Sequence, residues 1–187
     1  MTDQIALWHR DHIGFLQLLD VLEGQLNIFL DAGQPDYALM VDVMYYMIEY
    51  PDRFHHPKED VAFARMMEVD KGAKPLVMEL LAQHELIAKS GKSLFKQLDG
   101  IMAGAMMTRE SVSLSARDYI SLMKSHLNLE ETQLFPMALK ILRHDDWLAV
   151  DAAITPPEDP LFGGQVQKRF EALHKQIARQ AECGCEE

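Results

Sequence analysis

Apolar residues recur at helical spacing along most of the chain. Between residues 2 and 30, Leu7, Ile13, Leu16, Leu19, Leu22, Leu26 and Phe29 repeat in that way with Asp20, Glu23 and Asn27 between them, which predicts a long amphipathic helix. The Gly and Pro of "DAGQPD" (31–36) end it. A second apolar-rich run, 36–49, continues until "YPDRF" interrupts it. Pro57 has no amide hydrogen to donate and suits a first turn, so the helix is expected to restart near His55–Pro57 and to reach about Asp70. After the break "KGAKP" a third helix runs from Pro75 to about Leu98 or a little beyond, weakened but not ended by Gly91. Ser115, with Asp118 three residues on, marks the expected start of a fourth run. Its apolar spacing continues through Leu142 with a kink at Pro136. "DDWLAVDAAI" can add a short helix, "TPPEDPLFGG" is a loop, and "QVQKRFEALHKQIARQ" is a last amphipathic helix.

Strand signals are nearly absent, and helices joined by short loops predict an all-α fold, an antiparallel up-down four-helix bundle with a C-terminal helical extension outside it. The 187 residues suffice for one domain with a sizeable core. The bundle is expected over 1–145, and the extension with its Cys-containing tail over 146–187. Both cysteines, Cys183 and Cys185, lie in that tail, so the core and not a disulfide framework must hold the fold.

The formal net charge of −11 repels phosphate backbones and attracts cations, so nucleic acid is an unexpected partner and metal ions are expected ones. "MTDQIALWHRDHIGF" carries charges where a signal peptide needs an apolar stretch, and no later window reads as transmembrane length. A cytoplasmic protein with no membrane partner is expected; assembly as a homodimer is left open.

Against this background the eight histidines change the picture. His55 and Glu59 are four apart, as are His126 and Glu130, and that spacing stacks two side chains on one helix face. From His12 to the end of the first helix, and from Asp36 down to His55, the chain covers about 27–29 Å each way at 1.5 Å per residue. Similar counting brings His84 and His126 to the same level. Four imidazoles and two carboxylates in one layer of a helical core have the chemistry of a paired transition-metal site, because imidazole suits iron and a carboxylate can bridge two ions. A single His–Glu pair is more often an ion pair; the coincidence of two pairs with His12 and His84 is what favours metal. His56 points about 100° from His55 and is expected outside the ligand set, as a supporting or surface residue. His9 shares the face of His12 and could join or replace it. His144 and His174 are expected at the surface. The methionines, Met44, Met47, Met66, Met67, Met78 and Met123 among them, are expected to fill the core. One of Tyr45, Tyr46 and Tyr50 could donate a hydrogen bond to the site.

The ordered set "RDHIGFLQLLDVLE", "FHHPKED", "LAQHELI" and "HLNLEETQLFP" resembles the hemerythrin-like (HHE cation-binding) proteins over about residues 5–142, and "DDW" followed by "DPLFGG" resembles an extension seen in some bacterial members. The resemblance implies a non-haem di-iron (Fe–O–Fe) centre held by His12, His55, Glu59, His84, His126 and Glu130, with the two glutamates bridging. The family's oxygen carriers add a second His one turn before the His84 position, where this chain has Leu80, and space the His and Asp of the last helix by five, where His126 and Glu130 are four apart. The 4-His, 2-Glu set more closely resembles members linked to iron-centre repair, iron sensing and handling of peroxide or nitric oxide. The expected function is therefore reaction with, or sensing of, a small oxidant or gas such as dioxygen, peroxide or nitric oxide. Two other readings stay open: an iron store, donor or repair protein, and a helical interaction module without metal.

Overall fold

A computed structural model describes residues 4–31 and 33–183, with side chains described through residue 180. Cys185 lies outside the described residues, as does the side chain of Cys183. The chain is all-helical: α1 (Gln4–Leu30), α2 (Tyr37–Glu49), α3 (His56–Val69), α4 (Lys74–Met102), α5 (Arg109–Leu129), α6 (Phe135–Ile141), α7 (His144–Ala153) and α8 (Glu171–Cys183). Helix α1 packs on α2 and α5, and α4 packs on the same two, so these four enclose a common core; α3 lies against α4, α6 and α7. Helix α8 packs on α1 and α2.

Two expected interruptions are bridged by π turns. Pro51–His55 links α2 to α3, with the His56 N–H bonded to the Pro51 carbonyl, and Glu130–Leu134 links α5 to α6, with the Phe135 N–H bonded to the Glu130 carbonyl. Each π turn is followed by a proline, Pro57 or Pro136. Proline removes one i→i−4 bond and crowds the carbonyl four residues back, and a widened turn just before it relieves that crowding without ending the helix. The expected restart at His55–Pro57 and the kink at Pro136 are thus local widenings of continuous rods.

The start of α5 differs from the expected Ser115. Thr108 caps it, its hydroxyl accepting from the Ser111 N–H at 3.2 Å, and the first turn, Arg109–Ser111, is polar and carries no apolar signal. Helix α4 runs on to Met102 and stops at Gly104, whose φ of +88° reverses the chain at little cost. Gly91 in mid-α4 serves packing. A Cβ there would lie 3.1 Å from the Tyr119 ring and 3.3 Å from Ile48, so the bare backbone lets α2 and α5 approach.

Helix α1 also departs from expectation, because by length and composition it is apolar enough to cross a membrane. The charges at Arg10 and Asp11 precede a stretch in which Asp20 and Glu23 are the only acidic or basic residues. Its Phe15, Leu18, Leu19, Leu22 and Leu26 are buried against the other helices.

The apolar core falls into two clusters. One contains Phe15, Leu19, Met44, Met47, Ile87, Met123 and Leu127, and also Leu161, Phe170, Leu173 and Ile177 from the C-terminal segment. The other contains Trp8, Phe63, Met66, Val77, Leu80, Leu134 and Phe135. Along every rod polar residues separate them: His12 between Trp8 and Phe15, His55, His56 and Glu59 between Tyr50 and Ala62, His84 between Leu80 and Ile87, and Glu130 between Leu127 and Leu134. Met44, Met47, Met66 and Met123 fill the core as expected, whereas Met78 is half exposed.

Candidate metal centre

The polar layer between the two clusters contains His12, His55, His56, Glu59, His84, His126 and Glu130, all buried. All six sequence-identified positions are brought together. The i,i+4 pairs close as the helical spacing requires: His55 Nε2 lies 3.2 Å from Glu59 Oε1, and His126 Nε2 lies 3.3 Å from Glu130 Oε2. His12 Nε2 is 3.1 Å from His55 Nε2, 3.7 Å from Glu59 Oε1 and 3.5 Å from Glu130 Oε2. His84 Nε2 faces the other oxygens, 3.7 Å from Glu59 Oε2 and 3.6 Å from Glu130 Oε1. Each carboxylate therefore spans the two halves of the layer.

His56 lies inside this layer and not at the surface. It is buried, its ring stacks on His84 with centroids 4.4 Å apart, and it meets His126 edge-on at 5.6 Å. The rotation of about 100° per residue does separate His55 from His56. In a two-sided layer that rotation places them on opposite sides of Glu59, and neither is turned outward. The potential ligand atoms form two sets with Glu59 common to both: His12, His55 and Glu59, and His56, Glu59, His84 and His126.

Every one of the five histidines turns Nε2 inward and presents Nδ1 to a polar group outside. Glu131 accepts from His12 at 2.7 Å, Asp11 from His55 at 3.0 Å, Asp60 from His84 at 2.7 Å, and the Gln83 amide oxygen from His126 at 3.1 Å. Asp52 Oδ1 lies 3.3 Å from His56 Nδ1. Such partners fix the tautomer and ring orientation of a metal-binding histidine and raise its basicity. The sequence reading missed this outer ring. Asp52 and His56 are a local pair, four apart; for the other four the signal is adjacency, since Asp11 precedes His12, Asp60 follows Glu59, Gln83 precedes His84 and Glu131 follows Glu130, yet each serves a histidine on a different rod. His9 is mostly exposed and shares Glu131 at 3.1 Å, so it supports His12 and does not replace it. The Tyr46 hydroxyl donates to Asp159 at 2.8 Å and not to the layer, and Arg169 lies over the Tyr45 ring. His144 and His174 are exposed.

The electrostatics describe a layer that demands positive charge. Burial lowers the pKa of His55, but Glu59 and Asp11 outweigh it and raise the group to about 10. His84 is likewise raised to about 10, burial being outweighed by Asp60 and Glu130. His12 is raised by Glu131 and Glu59 against burial. Burial holds His56 down to about 4 and, with the neighbouring imidazoles, His126 well below its usual value. Glu59 is buried, yet His55 and His12 hold it well below the carboxylate range, while burial and the charge of Glu59 raise Glu130. Without metal, the raised His55 and His84 supply part of the charge that the surrounding carboxylates call for. Both oxygens of Glu59 and of Glu130 and the Nε2 atoms of His56, His84 and His126 are nevertheless buried without a hydrogen-bond partner. Such atoms are costly to bury unless something binds them.

A family model described as the hemerythrin HHE cation binding domain matches residues 3–138. Comparison with curated proteins and with solved structures finds no match.

Proposed function

The chain belongs to the hemerythrin HHE cation-binding family, and we propose that it is a cytoplasmic di-iron protein that reacts with or senses a small oxidant such as peroxide, nitric oxide or dioxygen. The observation that carries this reading is the set of unpartnered inward atoms on Glu59, Glu130, His56, His84 and His126. Buried carboxylate oxygens and imidazole nitrogens converging on two sets with a shared carboxylate fit a pair of iron ions, for which that donor mixture is suited. The rods α1, α2 with α3, α4, and α5 with α6 would form an antiparallel up-down four-helix bundle around them. His12 and His55 would hold one ion and His56, His84 and His126 the other, with Glu59 and Glu130 serving both. That is a 5-His, 2-Glu set, one histidine more than the sequence reading assigned.

Iron bound there would supply redox electrons and sites where a small oxidant exchanges. The chain's own residues orient, shield and move protons. Asp11, Asp52, Asp60, Glu131 and Gln83 keep each Nε2 lone pair aimed inward through contact with Nδ1, and protons displaced from Nε2 have the four outer carboxylates and solvent as their exit. The two apolar clusters exclude water from above and below the layer. His56 also relocates the open side. Leu80, buried one turn before His84, cannot coordinate, but His56 occupies that half, so the half with fewer imidazoles is that of His12 and His55. A cavity of about 90 Å³ lined by Trp8, Asp11, Tyr50, His55 and Lys58 adjoins that half and has room for a few water-sized molecules.

The test is single turnover. Protein loaded with ferrous iron under anaerobic conditions and given one equivalent of peroxide should develop near-ultraviolet charge-transfer bands that chelation abolishes. A stable, reversible dioxygen adduct would instead make it a carrier, and no spectral response with iron bound would make it a store.

A further inference from the structure

The two tryptophans of the chain line up on one ligand of the candidate centre. Trp8 and His12 are four apart on α1, and the Phe135 ring of α6 stacks between them: 5.6 Å from Trp8 at 19° and 5.3 Å from His12 at 18°. Trp147 of α7 then packs on Trp8 with centroids 6.2 Å apart. Trp8, Phe135 and His12 are buried, while Trp147 is only partly covered and reaches solvent. Rings at these separations are in contact; the near-parallel planes favour π overlap from His12 through Phe135 to Trp8, and the last step to Trp147 is a tilted contact at 58°. On the other side of the layer Phe15 meets His55 edge-on at 77° and His12 at 43°, and Tyr46 meets Phe15 at 59°, so the corresponding path to Tyr46 has no near-parallel step.

Indole gives up an electron far more readily than the benzene ring of Phe, and it does so without first losing a proton. We propose that the stack His12–Phe135–Trp8, continued to the surface by Trp147, is an electron route through which the centre makes good a shortfall when an oxidant takes more electrons than the metal can give. The inference rests on the di-iron reading above. Hydrogen peroxide needs two electrons and two protons to become two waters. A chain holding a single ferrous ion supplies one electron, and the second comes from Trp8 through Phe135, leaving an indole radical cation. Trp147 refills Trp8, and a solvent one-electron reductant of the ascorbate or thiol class refills Trp147, so both indoles end unchanged. Without that reductant the Trp147 radical cation loses its N–H proton to water and adds dioxygen as a peroxyl radical, which takes one electron from a second ferrous-loaded chain and one proton from water and so ends as a hydroperoxyindole. The route draws the oxidising equivalent away from the ligand histidines.

The experiment loads the full chain with one ferrous equivalent, adds one equivalent of hydrogen peroxide in air, and maps oxygen addition by peptide mass spectrometry, with iron per chain measured on the same samples. Expected are oxygen addition centred on Trp147, several-fold suppression by ascorbate, no such product in the metal-free protein, and several-fold more damage at Trp8 in Trp147→Phe. Trp147→Tyr, which restores an oxidisable ring, should again protect Trp8. Because Trp147 is only partly covered and Phe preserves a ring there, a purely packing role would leave the damage pattern unchanged. Iron retained with Trp147 unmodified, or with oxygen on the ligand histidines, Tyr46 or Tyr50 to the same extent in parent and Trp147→Phe, overturns the route alone. A parent that retains no iron overturns the reading of the site itself.

Discussion

Glu131 gives the sharpest test of the outer ring, because it holds His12 from outside without facing the inner layer. Its carboxylate accepts from His12 Nδ1 at 2.7 Å, a short contact of the charge-assisted kind, and the His12 hydrogen bond holds the Glu131 pKa below its usual value. His12 is 2% exposed in the parent while the Glu131 side chain is 30% exposed, so in Glu131→Ala a water can replace the acceptor only in part and without its charge. A hydrogen bond to a charged group contributes about 1.5–3 kcal/mol, and loss of such an outer partner lowers metal affinity about 10–100-fold, or about 1.4–2.7 kcal/mol. The two routes to the magnitude agree. Glu131→Gln keeps an acceptor oxygen but loses the charge, and should cost about half as much free energy, about 3–10-fold in affinity. The assay is competition for iron with a chromophoric chelator after complete demetallation and reloading, supported by melting of the loaded forms. Loaded Glu131→Ala should melt about 3–10 °C below the parent while keeping its helix content. Parent-like affinity in Glu131→Ala would refute the argument that this carboxylate orients a ligand.

Three further outcomes follow from the same geometry. In the metal-free protein His55 and His84 are raised from 6.5 to about 10, so their contribution to stability is fully present below about pH 6.5 and lost as pH rises towards 10; melting of the chelated protein should fall across that window while the loaded protein stays level. Iron loading near pH 8 should release protons to an indicator dye, and absence of release would show that the ligands do not exchange protons for metal. His56→Leu should remove a ligand from the His84 and His126 half only, so that one iron is weakened at least tenfold in the chelator assay and the other is unaffected; unchanged binding of both would return His56 to a supporting role.

How far the site could be read from the sequence follows from which relations are local. The pairs His55 with Glu59 and His126 with Glu130 are one helical turn apart, and helix lengths alone bring His12 and His84 to their level, so six members of the layer were visible before any packing was known. His56 was not, because its direction is unfavourable only if all ligands serve one point; the layer has two halves, and Glu59 divides them. Apart from Asp52, one turn before His56, the outer partners depend on the rotation of one rod against another, as when Asp11 of α1 meets His55 at the junction of α2 and α3, and no local pattern reports that rotation. Thr108 carries no apolar signal beside it, because the first turn of α5 is polar. The prolines at 57 and 136 were read as a boundary and a kink because sequence rules describe what proline removes, and a π turn is the less common way of accommodating it.

Glu59 belongs to both ligand sets, and the measurement that tests the account most directly is iron per chain in the demetallated and reloaded parent beside Glu59→Ala. The account predicts about two irons per parent chain, as the two sets require, and loss of both from a Glu59→Ala variant that remains helical. A parent that binds no iron, or a Glu59→Ala protein that retains the full complement, would contradict it.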